Sequence, residues 1–330
     1  MKEDWIWITW EHHRRSAVLA SHFGCSLFQF IPRGPLRYPK SIVRTVRLLL
    51  RAKPRVLFVQ NPSMILAFLA VLWGRATGTF VVVDRHTTFL LNRKYRLSPW
   101  LVTFKLLNRI TLRYADVTIV TNNFLAELVS EYGGRPYVLQ DKLPDLEAID
   151  EDSYPVAEGV RTVLFSSSFA EDEPIREVLA GVDRVEDHPL HLYVTGRRER
   201  APQDMILGAP PNVTFTGFLP DDEYLSLLQS VDVVLVLTTA DHTMLCGCYE
   251  AVSAGKVLVT SDKNVLRDYF RGAIFVDNTA ASIAEALDRP NYEMAESQER
   301  MDSLREDLRD SWSERAKGLG ALIEGALMER

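Results

Sequence analysis

Val56-Leu-Phe-Val-Gln60, Met64-Ile-Leu-Ala-Phe-Leu-Ala-Val-Leu-Trp73 and Phe80-Val-Val-Val-Asp84 follow one another within residues 56–84. The two outer runs are short, rich in Val and Phe, and end on a polar residue, the composition of a strand covered on both faces. The middle run is the longest apolar stretch of the chain, about half of the roughly 20 residues that a bilayer span needs, and reads as a buried helix. A strand, a crossover long enough for a helix and a second strand of the same kind make a parallel pair.

Working outward, the same alternation recurs on both sides. In the first half, strand-like runs lie at 5–10, 56–60, 80–84, 117–121 and 137–139, and in the second at 163–166, 190–195, 213–216, 233–238, 257–260 and 274–276. Between them, 141–159 is polar and acidic, holds Pro144 and Pro155 and has no periodicity, as an interdomain linker does. The expectation is an α/β chain of two successive Rossmann-like parallel sheets, which also fits 330 residues at about 100–200 residues per domain. Boundaries are expected at 1–145, a linker at 146–159, a second domain at 160–305 and a closing helix at 306–330. Ligands in such sheets bind beyond the carboxyl ends of the strands, so residues just after each strand carry the functional weight.

Composition narrows the class. Hydrophobic residues make up 47% and charged residues 25%, which favours neither disorder nor an integral membrane protein. Cys25, Cys246 and Cys248 have no metal-ligand spacing and read as reduced thiols. With no apolar leader at the N-terminus, the expected location is cytoplasmic. The net charge of −6 hides an asymmetry: residues 1–145 hold 21 Lys and Arg against 9 Asp and Glu, and 146–330 hold 17 against 35. A basic half attracts phosphates or anionic lipid. Its densest part sets Arg93, Lys94, Arg96, Lys105, Arg109 and Arg113 among Leu97, Trp100, Leu101, Phe104 and Leu106. This segment is either a core helix with a solvated face or a docking surface at the inner face of an anionic membrane. No recognisable nucleic-acid module occurs, so nucleic acid is not an expected partner.

Several strand-end segments resemble loops of the GT-B glycosyltransferases: Phe58-Val-Gln-Asn-Pro-Ser63, Asp84-Arg-His86, Asp141-Lys-Leu-Pro144, Ser166-Ser-Ser-Phe-Ala-Glu-Asp-Glu-Pro174 and Tyr249-Glu-Ala-Val-Ser-Ala-Gly255. The chain is most similar in texture to the family-4 enzymes and to the β-mannosyltransferase of lipid-linked oligosaccharide synthesis. Asp310-Ser-Trp-Ser-Glu-Arg-Ala resembles the closing helix that crosses back to the first domain in that architecture. The resemblance implies two Rossmann-like domains facing a cleft, an acceptor-binding first domain and a donor-binding second domain. It also implies transfer of a hexose from a nucleotide sugar to a membrane-associated glycan or lipid-linked acceptor, in polysaccharide or glycoconjugate synthesis.

Such a transfer needs a grip on the nucleotide, a site for the diphosphate and a group that takes the acceptor proton. Glu250, placed at the start of a helix, is expected on the ribose hydroxyls, the alternative being simple pairing with the helix dipole. His242 stands eight positions earlier, where retaining family-4 enzymes have a first Glu, and either contacts the donor or packs as a polar residue. The departure leaves the stereochemical outcome open. Ser166, Ser167 and Ser168 replace an Arg and Lys pair at the diphosphate and can hold phosphate through hydroxyls and backbone amides, provided that the acids at 171–173 point elsewhere. Gly196 and Arg197 offer a turn and a replacement cation, and Gly217 with Phe218 either neighbours the base or packs a turn.

In the first domain His86 is the general-base candidate, because imidazole titrates near neutrality, with Asp84 two positions earlier on the same side of the strand to orient it. His12, His13, Arg14 and Arg15, after the first strand, and Asn61, just after the run 56–60, are expected to meet a phosphate of donor or acceptor. No Asp-x-Asp pair occurs at a strand end, so neither metal nor cofactor is expected. Two alternatives share the pattern: a nucleotide-sugar epimerase, which would act without acceptor, and a non-catalytic GT-B binding subunit, which would not turn over donor at all.

Overall fold

The computed structural model describes residues 4–61, 63–86, 99–146 and 154–330, and of 99–101 the backbone alone. Arg93, Lys94, Arg96 and much of the expected linker at 146–159 lie outside the described residues. The chain divides into two compact units, Met1–Lys142 with Ser311–Arg330, and Leu143–Asp310.

The first unit runs β1 (Trp5–Thr9), α1 (Arg14–His22), β2 (Ser26–Gln29), α2 (Arg37–Ala52), β3 (Val56–Gln60), α3 (Met64–Thr77), β4 (Phe80–Arg85), α4 (Pro99–Tyr114), β5 (Val117–Val120), α5 (Asn123–Glu131) and β6 (Pro136–Val138). Its six strands are all parallel, in the order β2-β1-β3-β4-β5-β6. The sequence reading missed β2, because Ser26-Leu-Phe-Gln29 is an edge strand only half buried and lacks the β-branched run that marks the others. Side chains alternate across the sheet. Trp5, Trp7, Phe58, Phe80, Val82 and Ile119 form one core with Leu19 and Ala20 of α1, whereas Ile6, Ile8, Leu57, Val59, Val81 and Val83 form the other under α2 and α3. The apolar run at 64–73 buries one stripe of α3 and leaves Ile65 and Leu72 exposed.

The second unit runs β7 (Arg161–Phe165), α6 (Ile175–Val182), β8 (Leu190–Thr195), α7 (Gln203–Leu207), β9 (Val213–Gly217), α8 (Asp221–Ser230), β10 (Val233–Val236), α9 (Cys246–Ser253), β11 (Val257–Ser261), α10 (Asn264–Tyr269), β12 (Ile274–Val276) and α11 (Ala280–Leu287). Its sheet is also six-stranded and parallel, ordered β12-β11-β10-β7-β8-β9. The last element, α12 (Asn291–Met328), is one continuous helix, of which the expected closing segment at 306–330 is the later part. Trp312, Ala316, Leu319 and Ile323, spaced by three or four residues, complete the α1-side core of the first unit. Burying each large side chain there contributes at most about 1.5–3 kcal/mol. The Trp312 indole donates to the Gln140 carbonyl at 3.0 Å, and the Tyr137 hydroxyl to the Arg315 carbonyl at 2.6 Å.

Candidate active site

In the first sheet the strand order turns at β1 and β3, and such a switch point opens a crevice at the carboxyl ends of the strands. The loop after β1, Gln60-Asn61 at the end of β3 and Asp84-Arg85-His86 at the end of β4 all emerge there. Asp84 continues the inward row of Phe80 and Val82 and is fully buried. A carboxylate in that position needs a counter-ion, and Arg15, in the first turn of α1, supplies it. Arg15 Nε donates to Asp84 Oδ1 at 2.9 Å, Nη1 to Asp141 Oδ1 at 2.6 Å and Nη2 to the Leu139 carbonyl at 2.8 Å. Burial disfavours both charges, but their mutual attraction prevails: the Asp84 carboxyl falls to about 2 and Arg15 is held well above its usual range. Arg15 is therefore not the phosphate ligand expected from its loop, because its guanidinium is buried and committed to three internal acceptors. Its work is to fix Asp84 as an anion.

Above that pair lie two imidazoles. His86 Nδ1 is 3.6 Å from Asp84 Oδ2, too long for a hydrogen bond, and among the described residues neither atom has another hydrogen-bond partner. The His13 ring sits against the His86 ring with centroids 4.3 Å apart. Burial, and then the nearby His86, lower the pKa of His13, which favours its neutral form. Asn61 donates its backbone N–H to the Asp84 carbonyl at 2.8 Å, while its side-chain amide nitrogen and that of Gln60 are buried without partners. The Thr9 hydroxyl meets the other end of Gln60. Each unpaired buried group costs about 1–3 kcal/mol, so a patch of them is what a polar ligand would complete. His12 and Arg14 are exposed beside this patch in sequence rather than part of it.

The second sheet reverses between β7 and β10, and there the polar groups are already engaged. The Ser167 hydroxyl donates to Glu173 Oε2 at 2.6 Å, the Ser168 hydroxyl and backbone N–H to Glu173 Oε1 at 2.8 and 3.0 Å, and the Phe169 N–H to Oε2 at 3.0 Å. The expected phosphate cradle is thus filled by a carboxylate of the same loop. Of the neighbouring acids, Asp172 takes the Thr238 hydroxyl at the end of β10. Gly196, at φ +119°, allows this loop its approach, since a Cβ there would lie 2.4 Å from the Ser167 carbonyl oxygen. Arg197 is exposed, with its guanidinium 5.5 Å from the Phe218 ring. Phe218 is 67% exposed and follows Gly217, which also has a left-handed backbone.

Glu250 lies more than a turn inside α9 rather than at its start, so the helix dipole does not account for it. The Tyr224 hydroxyl of α8 donates to Glu250 Oε2 at 2.7 Å and lies 3.1 Å from the Ser166 hydroxyl. Burial first, then Glu250, push the Tyr224 phenol upward, so it stays a donor. His242 holds a left-handed backbone, φ +62°, a conformation that non-glycine residues seldom keep without cause.

Residues 10–139 match the family model described as glycosyl transferase 4-like domain, and residues 160–289 that described as glycosyl transferases group 1. The chain is a GT-B glycosyltransferase. Solved structures agree on the fold. Sucrose-phosphate synthase from Thermosynechococcus elongatus is 17% identical with a TM-score of 0.68, covering 97% of this chain and 86% of its own. HepE from Anabaena, solved with UDP and glucose, is 13% identical with a TM-score of 0.64, covering 98% and 92%. A glycosyltransferase from Rickettsia africae is 10% identical with a TM-score of 0.69, covering 97% and 90%. A sequence comparison with curated proteins finds no match. In this glycosyltransferase the matched models fall one on each sheet. Sequence reasoning assigned no individual role to Gln60, Asp141, Glu173 and Tyr224. Gln60 had a signal, since it ends β3 beside Asn61; the other three act through partners remote in sequence or, for Glu173, through a loop conformation.

Proposed function

We propose that the enzyme transfers a hexosyl group from a nucleotide sugar held by the second unit to a hydroxyl of a glycan or lipid-linked acceptor held by the first. The observation that carries this reading is the patch of buried, unpartnered polar atoms at Asp84, His86, His13, Gln60 and Asn61. In the proposed step His86 takes the acceptor hydroxyl proton while the oxygen bonds to the anomeric carbon and the bond from that carbon to the diphosphate breaks. The nucleoside diphosphate leaves with the electron pair. The fixed charge of Asp84 stabilises the imidazolium as it forms. Asn61 and Gln60 supply donors to acceptor oxygens.

On the donor side Glu250 is assigned to the ribose hydroxyls, with Tyr224 holding its carboxylate, and Arg197 with Phe218 to the diphosphate and base. HepE, of similar fold, was solved with UDP-glucose, which supports a nucleotide-sugar donor. The leaving diphosphate is neutralised in this reading by cations and backbone amides without a metal. An anionic membrane surface is proposed to present the acceptor. The support is α2, where Arg37, Lys40, Arg44, Arg47 and Arg51 are exposed beside Leu36, Val43 and Leu50, and no Asp or Glu occurs between Glu11 and Asp84. On α4, Lys105 and Arg109 are likewise exposed near Val102 and Leu106. No helix among the described residues is long and apolar enough to cross a membrane.

His86→Ala tests the core of the proposal. Turnover with saturating donor and acceptor should fall by roughly 10²–10⁴ with donor affinity nearly unchanged. Near-wild-type turnover would return His86 to a structural role.

A further inference from the structure

Asp84 and Arg85 are adjacent on β4 and therefore face opposite sides of the sheet. The register sets Arg85 against Val120, which packs with Leu112 of α4 and with Leu125 and Val129 of α5. Arg85 is only 2% exposed. Its Nη1 donates to Asn108 Oδ1 at 2.6 Å, and Asn108 is itself wholly buried on α4. Among the described residues no other hydrogen bond engages the two side chains: Arg85 Nε and Asn108 Nδ2 are buried without partners, and Arg85 Nη2 makes no hydrogen bond.

The contrast with Arg15 is one of counter-ions. Arg15 has two carboxylates, whereas Arg85 has none among the described residues, and residues 85–115 contain no Asp or Glu. Burial lowers Arg85 to about 10, with only the Tyr132 phenol acting to raise it. A cation kept in a low-dielectric layer with no anion beside it is costly unless one arrives from outside. The unoccupied groups match such a ligand. Nε and Nη2 form one edge of the planar guanidinium, two parallel N–H groups suited to two oxygens of an oxyanion, and Asn108 Nδ2 adds a third donor. Three donors with no acceptor among them suit a phosphate, which offers at least three oxygens.

We propose that Arg85 and Asn108 form a binding site for a phosphate group on the α4 face of the first sheet, separate from the Asp84–His86 patch on the other face. The phosphate can be free or carried as a monoester by a sugar or a lipid, since all three present the same oxygens.

Inorganic phosphate is titrated into the full chain, with acetate as the planar control, and melting temperature and calorimetric affinity are followed in wild type, Arg85→Gln and Asn108→Leu. Phosphate should raise the wild-type melting temperature more than acetate does. Arg85→Gln should weaken phosphate at least about tenfold, the scale of a lost charge-assisted bond pair. Without phosphate that variant should melt no lower than wild type, because an uncompensated charge has been removed. Phosphate bound elsewhere acts equally on both proteins, so an unchanged response in Arg85→Gln overturns the site, as does an acetate response as large as that of phosphate. Should Arg85→Gln fail to fold, Asn108→Leu keeps the cation and removes a donor; severalfold weaker phosphate binding supports the site and unchanged binding refutes it. Glucose 6-phosphate and short-chain phosphatidic acid below its micelle concentration then separate the carriers, the one with tighter, Arg85-dependent binding being the source.

Discussion

The two sheets end differently. At the strand ends of the first unit, His13, Gln60, Asn61, Asp84 and His86 keep buried polar atoms with no partner. At the strand ends of the second, Ser167, Ser168 and Phe169 hold Glu173, Tyr224 holds Glu250, and Thr238 holds Asp172. One set of strand ends leaves polar groups unpaired among the described residues; the other pairs them internally. The lesson is energetic. On the proposed reading, a ligand entering the first site satisfies groups that folding left unpaired, whereas a diphosphate entering the second must exchange places with a carboxylate that already accepts from four donor groups.

The strongest way to break this comparison is to remove Arg15, the guanidinium that pairs with Asp84. Arg15→Met leaves Asp84 buried without its cation and should cost about 3–5 kcal/mol of stability. The pH dependence has a definite sign. In wild type the Asp84 carboxyl is depressed to about 2, so its stabilising contribution is present above the unfolded value near 3.8 and is lost as pH falls from there through about 2. In the variant, burial raises it with only His86 left to oppose, so the penalty of the buried charge is relieved by acid and the gap to wild type narrows as pH drops. Urea unfolding at neutral and acid pH checks this; a constant gap would assign the loss to packing of the Arg15 stem.

A smaller effect sharpens the other side. Glu173→Gln removes the negative charge from the Ser167–Phe169 cradle while keeping an acceptor there, and should tighten binding of a nucleoside diphosphate by about three- to tenfold, within the scale of a charged hydrogen bond. Calorimetric titration reads it directly. Unchanged or weaker binding would make Glu173 a permanent strut and place the diphosphate elsewhere. Smallest per residue is the effect at α2, where each cation contributes about 1 kcal/mol at an anionic bilayer. Reversing Arg37, Arg44 and Arg47 to Glu should abolish co-sedimentation with anionic liposomes at low salt; binding indifferent to these changes, to lipid charge and to salt would leave α2 an ordinary solvated helix.

Much of the architecture was legible because strands buried on both faces are continuous apolar runs, and 56–60, 80–84 and 257–260 could hardly be anything else. Strand β2 escaped because an edge strand obeys weaker rules. That Asp84 and His86 fall on one side of the chain was readable from alternation alone. The role of Arg15 was not: His-His-Arg-Arg after a strand has the composition of a phosphate loop, and nothing local announces that Asp141, 126 residues on, takes the guanidinium. Likewise the acids at 171–173 looked repulsive to phosphate, but which way Glu173 points depends on the left-handed turn at Phe169, φ +57°, a backbone choice that composition does not encode.

The Arg15 guanidinium also has a kinetic meaning. It closes loops of 69 residues to Asp84 and 126 to Asp141, and the 139–141 segment it grips is held in turn by Trp312, 172 residues beyond Gln140. Contacts so distant in sequence are made late, after the entropy of closing the chain has been met. During synthesis the strands of the first sheet emerge early, yet the 139–141 segment that grips Arg15 lacks its indole support until the whole second unit has been made. A nascent chain therefore carries His13 and His86 long before it carries the framework that holds the residues around them in place.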